Sequence, residues 1–220
     1  MIVKDFDPAT SFSEKVAATY DGDLRGDEDD AVAFFERLAG GGRVLELAIG
    51  TGRIGLPLAS RGVRVEGIEI SPAMVARLRA KPGGDRVPVT IGDMADVAVP
   101  GTYRLTYVVF NTFFNLLTQD DQVRCFENVA THLDHGGSFV IEAFVPSYLY
   151  RLRNDQYVDA ESIDVGEVWL DVGRHDAVAQ ILDESHVSLS NAGVRVYPIV
   201  TTCADAADTE RVALADHRTF

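Results

Sequence analysis

The sequence predicts an α/β fold: a parallel sheet with helices on both faces, followed by a C-terminal antiparallel meander of strands. Three observations carry this. Between residues 44 and 144, short apolar runs alternate with segments of helical period. The first run breaks into a glycine-rich turn that opens a helix. Beyond Pro146 the helical segments stop, and strand-like runs separated by turn residues take over. Strands joined by helical crossovers lie parallel and wind right-handed, which makes the sheet Rossmann-like.

Taken in order, residues 11–20 read as a short helix with Ser at its start. Residues 21–30, DGDLRGDEDD, hold six carboxylates and one arginine. Such a run reads as a solvated loop, or as a segment that orders over a ligand. Residues 31–39 form a helix ended by Gly40, Gly41 and Gly42. Residues 44–49 are a strand, apolar throughout except for Glu46. A helix follows at 54–61, a second strand at 63–70, and a helix at 72–80 capped by Ser71. Residues 87–91 and 105–110 are the third and fourth strands. A long helix at 120–133 ends at His135-Gly136-Gly137, and 138–144 form the fifth strand. In the remainder, 165–172, 177–189 and 194–202 are strand-like, with turns at 173–176 and 191–193. Residues 204–220 show no clear period. The expected organisation is one domain, with 1–145 as the core and its helical lead-in and 146–220 as an antiparallel elaboration.

A chain of 220 residues is ample for one hydrophobic core. Its net charge of −14 repels phosphate backbones and argues against a nucleic-acid partner. Cys125 and Cys203 match no metal spacing and read as ordinary thiols of a reducing compartment; no metal is expected. The N-terminus lacks a basic and an apolar targeting region, and the longest apolar-rich run, 105–117, is too short to span a bilayer. The expectation is a cytoplasmic protein with no membrane partner.

Gly50, Gly52 and Gly55 spell GxGxxG on a strand-turn-helix, with Glu69 about 20 residues on, which is the dinucleotide fingerprint. An NAD(P)-dependent oxidoreductase is therefore one reading. Glu46 argues against it. A carboxylate aimed at this turn would repel a pyrophosphate on the helix N-terminus. A buried acid needs a cationic or hydrogen-bonding partner. S-adenosylmethionine has an ammonium, a sulfonium and no phosphate. Glu69 closes the second strand and Asp93 follows the third, so successive strands bring acids to the edge where open parallel sheets bind ligands. Glu69 can accept from ribose hydroxyls. Asp93 can accept from the adenine amino group, with the Met94 amide donating to a ring nitrogen. Ile70, Met74 and Met94 can sandwich the base; for Ile70 and Met74 ordinary core packing is an equal reading.

VLELAIGTGRIGLPLA (44–59), VEGIEIS (65–71) and IGDM (91–94) resemble motif I, its acidic follow-on and motif II of class I S-adenosylmethionine-dependent methyltransferases. The resemblance covers roughly residues 10–145 in the family's order and spacing. It implies that Glu46 lies near the methionine moiety, that Gly50, Thr51 and Gly52 admit its close approach, and that Arg53 reaches its carboxylate. Ala48 stands where the family usually has its first glycine, which an extended backbone would tolerate. Asn111, Thr112 and Phe113 would border the sulfonium. Tyr20-Asp21 matches a family position where an aromatic covers the cofactor. The Asn-Pro-Pro-aromatic pattern of enzymes acting on nucleobase or amide nitrogen is missing here, which points to a small-molecule acceptor, as in the glycine N-methyltransferase and sugar-amine types. A complete fold of this type carries two further strands. Either the meander supplies them, or a sheet edge stays bare, which would mean association with a partner, such as a second copy, or weak activity.

Methyl transfer is an in-line displacement in which the cofactor supplies the electrophile, so no catalytic triad is required. His132, His135, His175 in a predicted turn, His186 on a meander strand and His217 are the candidates for a base, and none stands out. Residues 165–202 are expected on the acceptor side. The readings are then a methyltransferase acting on nitrogen or oxygen of a small molecule, an NAD(P)-dependent oxidoreductase, and a protein that binds S-adenosylmethionine without turnover.

Overall fold

The computed structural model describes residues 6–22 and 26–203. His217 and the segment 204–220 lie outside the described residues, as does part of the acidic run. The chain forms two compact units. One comprises Pro8–Phe113 with Asp120–Ala143; the other comprises Phe114–Gln119 with the described residues from Phe144 on.

The first unit opens with α1 (Pro8–Ser11), α2 (Glu14–Thr19), a 3-10 turn at Tyr20–Gly22 and α3 (Glu28–Ala39). There follow β1 (Arg43–Leu47), α4 (Gly55–Ser60), β2 (Arg64–Glu69), α5 (Pro72–Ala80), β3 (Val89–Ile91), β4 (Tyr103–Val108), α6 (Gln119–His132) and β5 (Leu133–Ile141). The five strands are parallel in the order β3-β2-β1-β4-β5. The chain builds outward from β1 through β2 to β3, then returns to β4 on the other side of β1. The β1/β4 boundary is thus the switch point, where the crevice of an open α/β sheet forms. Val44, Leu45, Leu47, Leu105 and Tyr107 are buried in the two central strands. Phe35 of α3 stacks on Tyr107 with ring centroids 4.1 Å apart.

Three details depart from the sequence reading. The acidic run is not all loop: Glu28, Asp29 and Asp30 form the first turn of α3, where the helix dipole favours negative charge. The lead-in helix is split, with Ser13 preceding α2. Strand β5 begins at Leu133, before the glycines expected to separate helix from strand; Gly136 has φ +73° inside a register shift against β4. Gly40 does end α3 in the left-handed region, and the Ser71 hydroxyl accepts from the Met74 amide to cap α5, as expected.

The second unit is a four-stranded antiparallel sheet of β6 (Gln156–Asp164), β7 (Glu167–Asp176), β8 (Ile181–Ser190) and β9 (Gly193–Thr202), in that order. The segment after Phe113 joins it: the Thr202 hydroxyl donates to the Phe114 carbonyl at 3.3 Å, and the Asn115 amide to that of Val200 at 3.3 Å. The meander is a separate sheet and adds no strand to the parallel one among the described residues. Strand β6 was not expected, and the turn expected at 173–176 lies within β7. Gly173 serves close approach, not a turn: a Cβ there would come within 2.5 Å of the Tyr157 ring. The turn falls after it, where the Asp176 carboxylate accepts from the Val178 and Ala179 amides.

Candidate functional site

The glycine turn leaves β1 at its C-terminal end. Ala48 has φ +53°, Gly50 +57° and Gly52 +79°. The extended backbone expected at Ala48 is therefore not found. The chain reverses there in the left-handed region, and alanine carries a strain that glycine would not. A second strained pair follows β4, where Phe110 and Asn111 have φ of +59° and +61°. Strained non-glycine residues thus flank the switch point on both sides, as they often do at binding sites.

Glu46 is buried, with 2% of its surface exposed, and a Cβ on Gly55 would come within 2.5 Å of its Oε2. Glycine at 55 is what lets helix α4 start against this carboxylate. Burial drives the Glu46 pKa up to about 8, against the opposing pull of the Tyr107 hydroxyl; Glu69 adds to the rise and the Gly55 amide opposes it. By strict geometry neither Glu46 Oε2 nor the Tyr107 hydroxyl completes a hydrogen bond, so the nearby groups compensate the burial poorly.

Glu69 is also buried. Its Oε2 accepts from the Gly50 amide at 2.8 Å and its Oε1 from the Ser71 amide at 2.7 Å. These bonds tie the glycine turn to the end of β2 and leave each oxygen a further lone pair. Burial raises the Glu69 pKa despite them. Glu66, on the same strand, is different: Arg43 pairs with it. Among the described residues, Glu46 and Glu69 have no such arginine.

Thr51 and Arg53 turn away from the crevice floor toward the lead-in segment. The Thr51 hydroxyl donates to Asp21 at 2.6 Å, and Lys81 Nζ reaches both Asp21 and the Thr51 carbonyl at 2.8 Å. Arg53 lies between two rings, its guanidinium carbon 4.7 Å from the Tyr20 centroid and 5.3 Å from that of Phe110. It donates to the Tyr20 carbonyl at 2.5 Å and sits 3.9 Å from Glu28, while its buried Nε has no partner. The Ser71 hydroxyl holds the Phe12 carbonyl at 2.6 Å. Residues 12–21 are thereby fastened over the turn. Lys81 and Phe110 enter the site's surroundings without having been singled out as binding residues, and the sequence marks Asp21 only beside Tyr20; Lys81 lies thirty positions from Thr51, and no local pattern marks it.

Met74 is buried, its Cε 3.9 Å from a Cβ built on Gly50. Ile70 is half-buried. Asp93 is exposed, and its Oδ1 accepts from the Ala95 amide at 2.8 Å in a local turn. Met94 is buried, and its carbonyl accepts from Asn128. Asn111 and Thr112 are half-buried, whereas Phe113 is fully buried with its ring against Phe126.

The histidines divide by role. His132 is structural: its ring meets the Asn128 carbonyl at 2.7 Å and accepts from the Val99 amide at 3.3 Å. His175 is buried in the second unit beside Tyr150, with neither ring nitrogen partnered. His186 pairs with Asp171 at 2.6 Å, and Glu161 completes a group of donors within 4.8 Å of one another. Cys125 and Cys203 are free and buried.

The turn fits a cationic nucleoside better than a dinucleotide. Among the described residues, two buried carboxylates without a counter-charge border it, and the cations beside it are engaged, Lys81 with Asp21 and Arg53 with Tyr20 and Glu28.

Comparison with known proteins gives the same direction. The model of a methyltransferase domain matches residues 44–137. The CcbJ methyltransferase of Streptomyces caelestis is 32% identical, with a TM-score of 0.87, over 96% of this chain and 87% of that one. The cypemycin N-terminal methyltransferase of a Streptomyces species is 29% identical over 115 residues, 52% of this chain and 47% of that protein. The putative methyltransferase YqeM of Bacillus subtilis is 24% identical over 66% of this chain and 59% of its own. The chain thus spans about half the length of the curated relatives it matches. CalS10 of Micromonospora echinaspora, an amino pentose methyltransferase with S-adenosylmethionine bound, shares the fold at 24% identity and a TM-score of 0.69, over 90% of this chain and 86% of that one. No described helix is long and apolar enough to cross a membrane.

Proposed function

We infer that this chain, which belongs to the class I S-adenosylmethionine-dependent methyltransferase family, methylates a nitrogen or oxygen of a small molecule by direct in-line transfer. The observation that carries the reading is the pair of buried carboxylates, Glu46 and Glu69, without a counter-charge among the described residues at the switch-point turn. When bound, the cofactor supplies an already activated methyl group. The chain's own work is to bind, align and exclude water. Glu46 offers its unpartnered oxygen to the cationic methionine end. Glu69 keeps lone pairs for the ribose hydroxyls while its backbone bonds fix the turn. Asp93, Ile70, Met74 and Met94 take the adenine side, and Tyr20 with Arg53 covers the turn. Asn111 and Thr112, after the strained end of β4, take the side of the transferred methyl. Gly50 and Gly52 set the backbone course, and Ala48 begins it.

Acceptor choice we assign to the second unit. The chain enters it after Phe113 and again after Ala143, a few residues beyond the C-terminal ends of β4 and β5. The cypemycin relative is named for N-terminal methylation and the CalS10 neighbour for an amino pentose, so amines lead the acceptor panel.

Calorimetry with S-adenosylmethionine and S-adenosylhomocysteine tests the core of this. Micromolar binding is expected, with a loss of about 30- to 150-fold in Glu69→Ala, the scale of two or three kcal/mol for removing a charged hydrogen-bond partner. Binding of neither compound ends the reading. Turnover with amines, phenols and carboxylic acids then separates an enzyme from a protein that only holds the cofactor.

A further inference from the structure

Glu46 is a buried carboxylate, 2% exposed, whose Oε2 has no hydrogen-bond partner and which no positive group among the described residues neutralises. The titratable groups facing it are Tyr107 from β4, Glu69 from β2 and Tyr20 from the turn after α2, and none of these carries a positive charge. Arg53, which lies over the Tyr20 ring, is taken up by the Tyr20 carbonyl, Glu28 and two rings. From α4 only the Gly55 amide approaches. A carboxylate so placed lowers its energy by taking up a proton. The ligand expected beside it is a cation, which reverses that preference. Resting on the function proposed above, we propose that Glu46 carries a proton in the cofactor-free protein and releases it to solvent when the cationic methionine end of the cofactor binds. The balance is simple: carboxylic acid plus cation gives carboxylate–cation pair plus one proton, with no other bond changed.

Two consequences follow for the cofactor site. Binding affinity is tied to proton activity through a residue in the glycine motif itself. The protein also avoids holding two adjacent buried negative charges, Glu46 and Glu69, while it waits for its ligand.

Calorimetric titration at about pH 7, in two buffers of different ionisation heat, counts the protons released. With the Glu46 pKa near 8, about nine tenths of a proton is available for release at that pH. The wild type is expected to release close to one proton per S-adenosylmethionine bound. Glu46→Gln, an isostere of the protonated form, is expected to bind and release none. Methylthioadenosine, which lacks both ammonium and sulfonium, should release none from either protein. Infrared difference spectra give a second readout in the wild type alone, as loss of a protonated-carboxyl carbonyl band on binding. Equal proton counts in wild type and Glu46→Gln, or an unchanged carbonyl band, would overturn the proposal. Absence of any binding by the wild type would instead defeat the function on which it rests.

Discussion

The two units solve the problem of placing acidic side chains in opposite ways. In the parallel unit, Glu46 and Glu69 are buried near strand ends beside backbone amides, the Tyr107 hydroxyl and each other, with no cation among the described residues to pair them. In the antiparallel unit, Glu161, Asp171, Glu184 and His186 crowd one half-exposed sheet face, where the imidazole pairs with Asp171 and lies beside Glu161 and Glu184. The opposite face of that sheet carries Val158, Leu170, Val187 and Val196, with Ile163, Val168, Leu189 and Val194 beside them. A buried acid without a cation is costly unless a ligand or a proton completes it. An acid on a wet sheet face costs little and specifies little. The difference says that the chemistry of the first unit is written in charge, while the second offers surfaces.

The sharpest way to break the comparison is at Glu46. Burial holds its carboxyl neutral up to about 8, against an ordinary value near 4.5. Below pH 4.5 folded and unfolded chains are both protonated. As pH rises from 4.5 to 8, the unfolded chain gives up its proton and the folded chain keeps it. Stability of the cofactor-free protein therefore falls across that window, by an upper bound of about 4–5 kcal/mol. Glutamine does not titrate. Urea unfolding of Glu46→Gln and wild type should show little difference near pH 4.5 and a large gain for the variant by pH 8. A gap that stays constant with pH would mean that Glu46 is already ionised in the fold.

The next effect concerns the segment over the glycine turn. Its attachment runs through Asp21, Thr51 and Lys81, a partly exposed ion pair with a side-chain exposure near 30% on each partner. Pairs of this kind contribute about 1 kcal/mol. Lys81→Met should speed cofactor dissociation by about fivefold and increase hydrogen exchange in residues 12–21, with Lys81→Arg restoring part of both. In the wild type, added salt should mimic the variant. Dissociation that ignores both salt and Lys81→Met would assign the latch no part in cofactor retention.

The same contrast explains what the sequence made legible. Largely apolar runs with acids near their ends marked β1, β2 and the turn, because burial leaves few polar positions in such strands and those few stand out. Tertiary contacts left no such mark. Lys81 meets Thr51 only when α5 is folded, and the strain at Ala48, Phe110 and Asn111 belongs to the backbone course, not to residue type. In the second unit the alternation that marks a strand is broken in β6 by a register shift between Ala160 and Ser162, so QYVDAESID reads as loop. Gly173 reads as a turn because a Tyr157 ring lying over it is invisible from sequence.

The smallest effect lies at His186 and Asp171, and it tests whether the second unit follows the opposite rule. The Asp171 hydrogen bond at 2.6 Å raises the His186 pKa; burial opposes the rise, and the Asp171, Glu184 and Glu161 charges add to it. Glu46 is raised because burial penalises its charge, whereas His186 is raised because its neighbours favour its charge. A raised histidine adds stability that is fully present below its ordinary value near 6.5 and is lost as pH climbs through the folded value. The imidazole is 40% exposed, so solvent screening limits the pair to a few tenths of a kcal/mol. Asp171→Asn should therefore bring the His186 titration midpoint, followed by NMR, down toward that of an ordinary histidine. Stability at pH 6 should fall slightly, and at pH 9 hardly at all. A midpoint unmoved by the substitution would show that burial, not the neighbouring charges, governs this face as it governs Glu46.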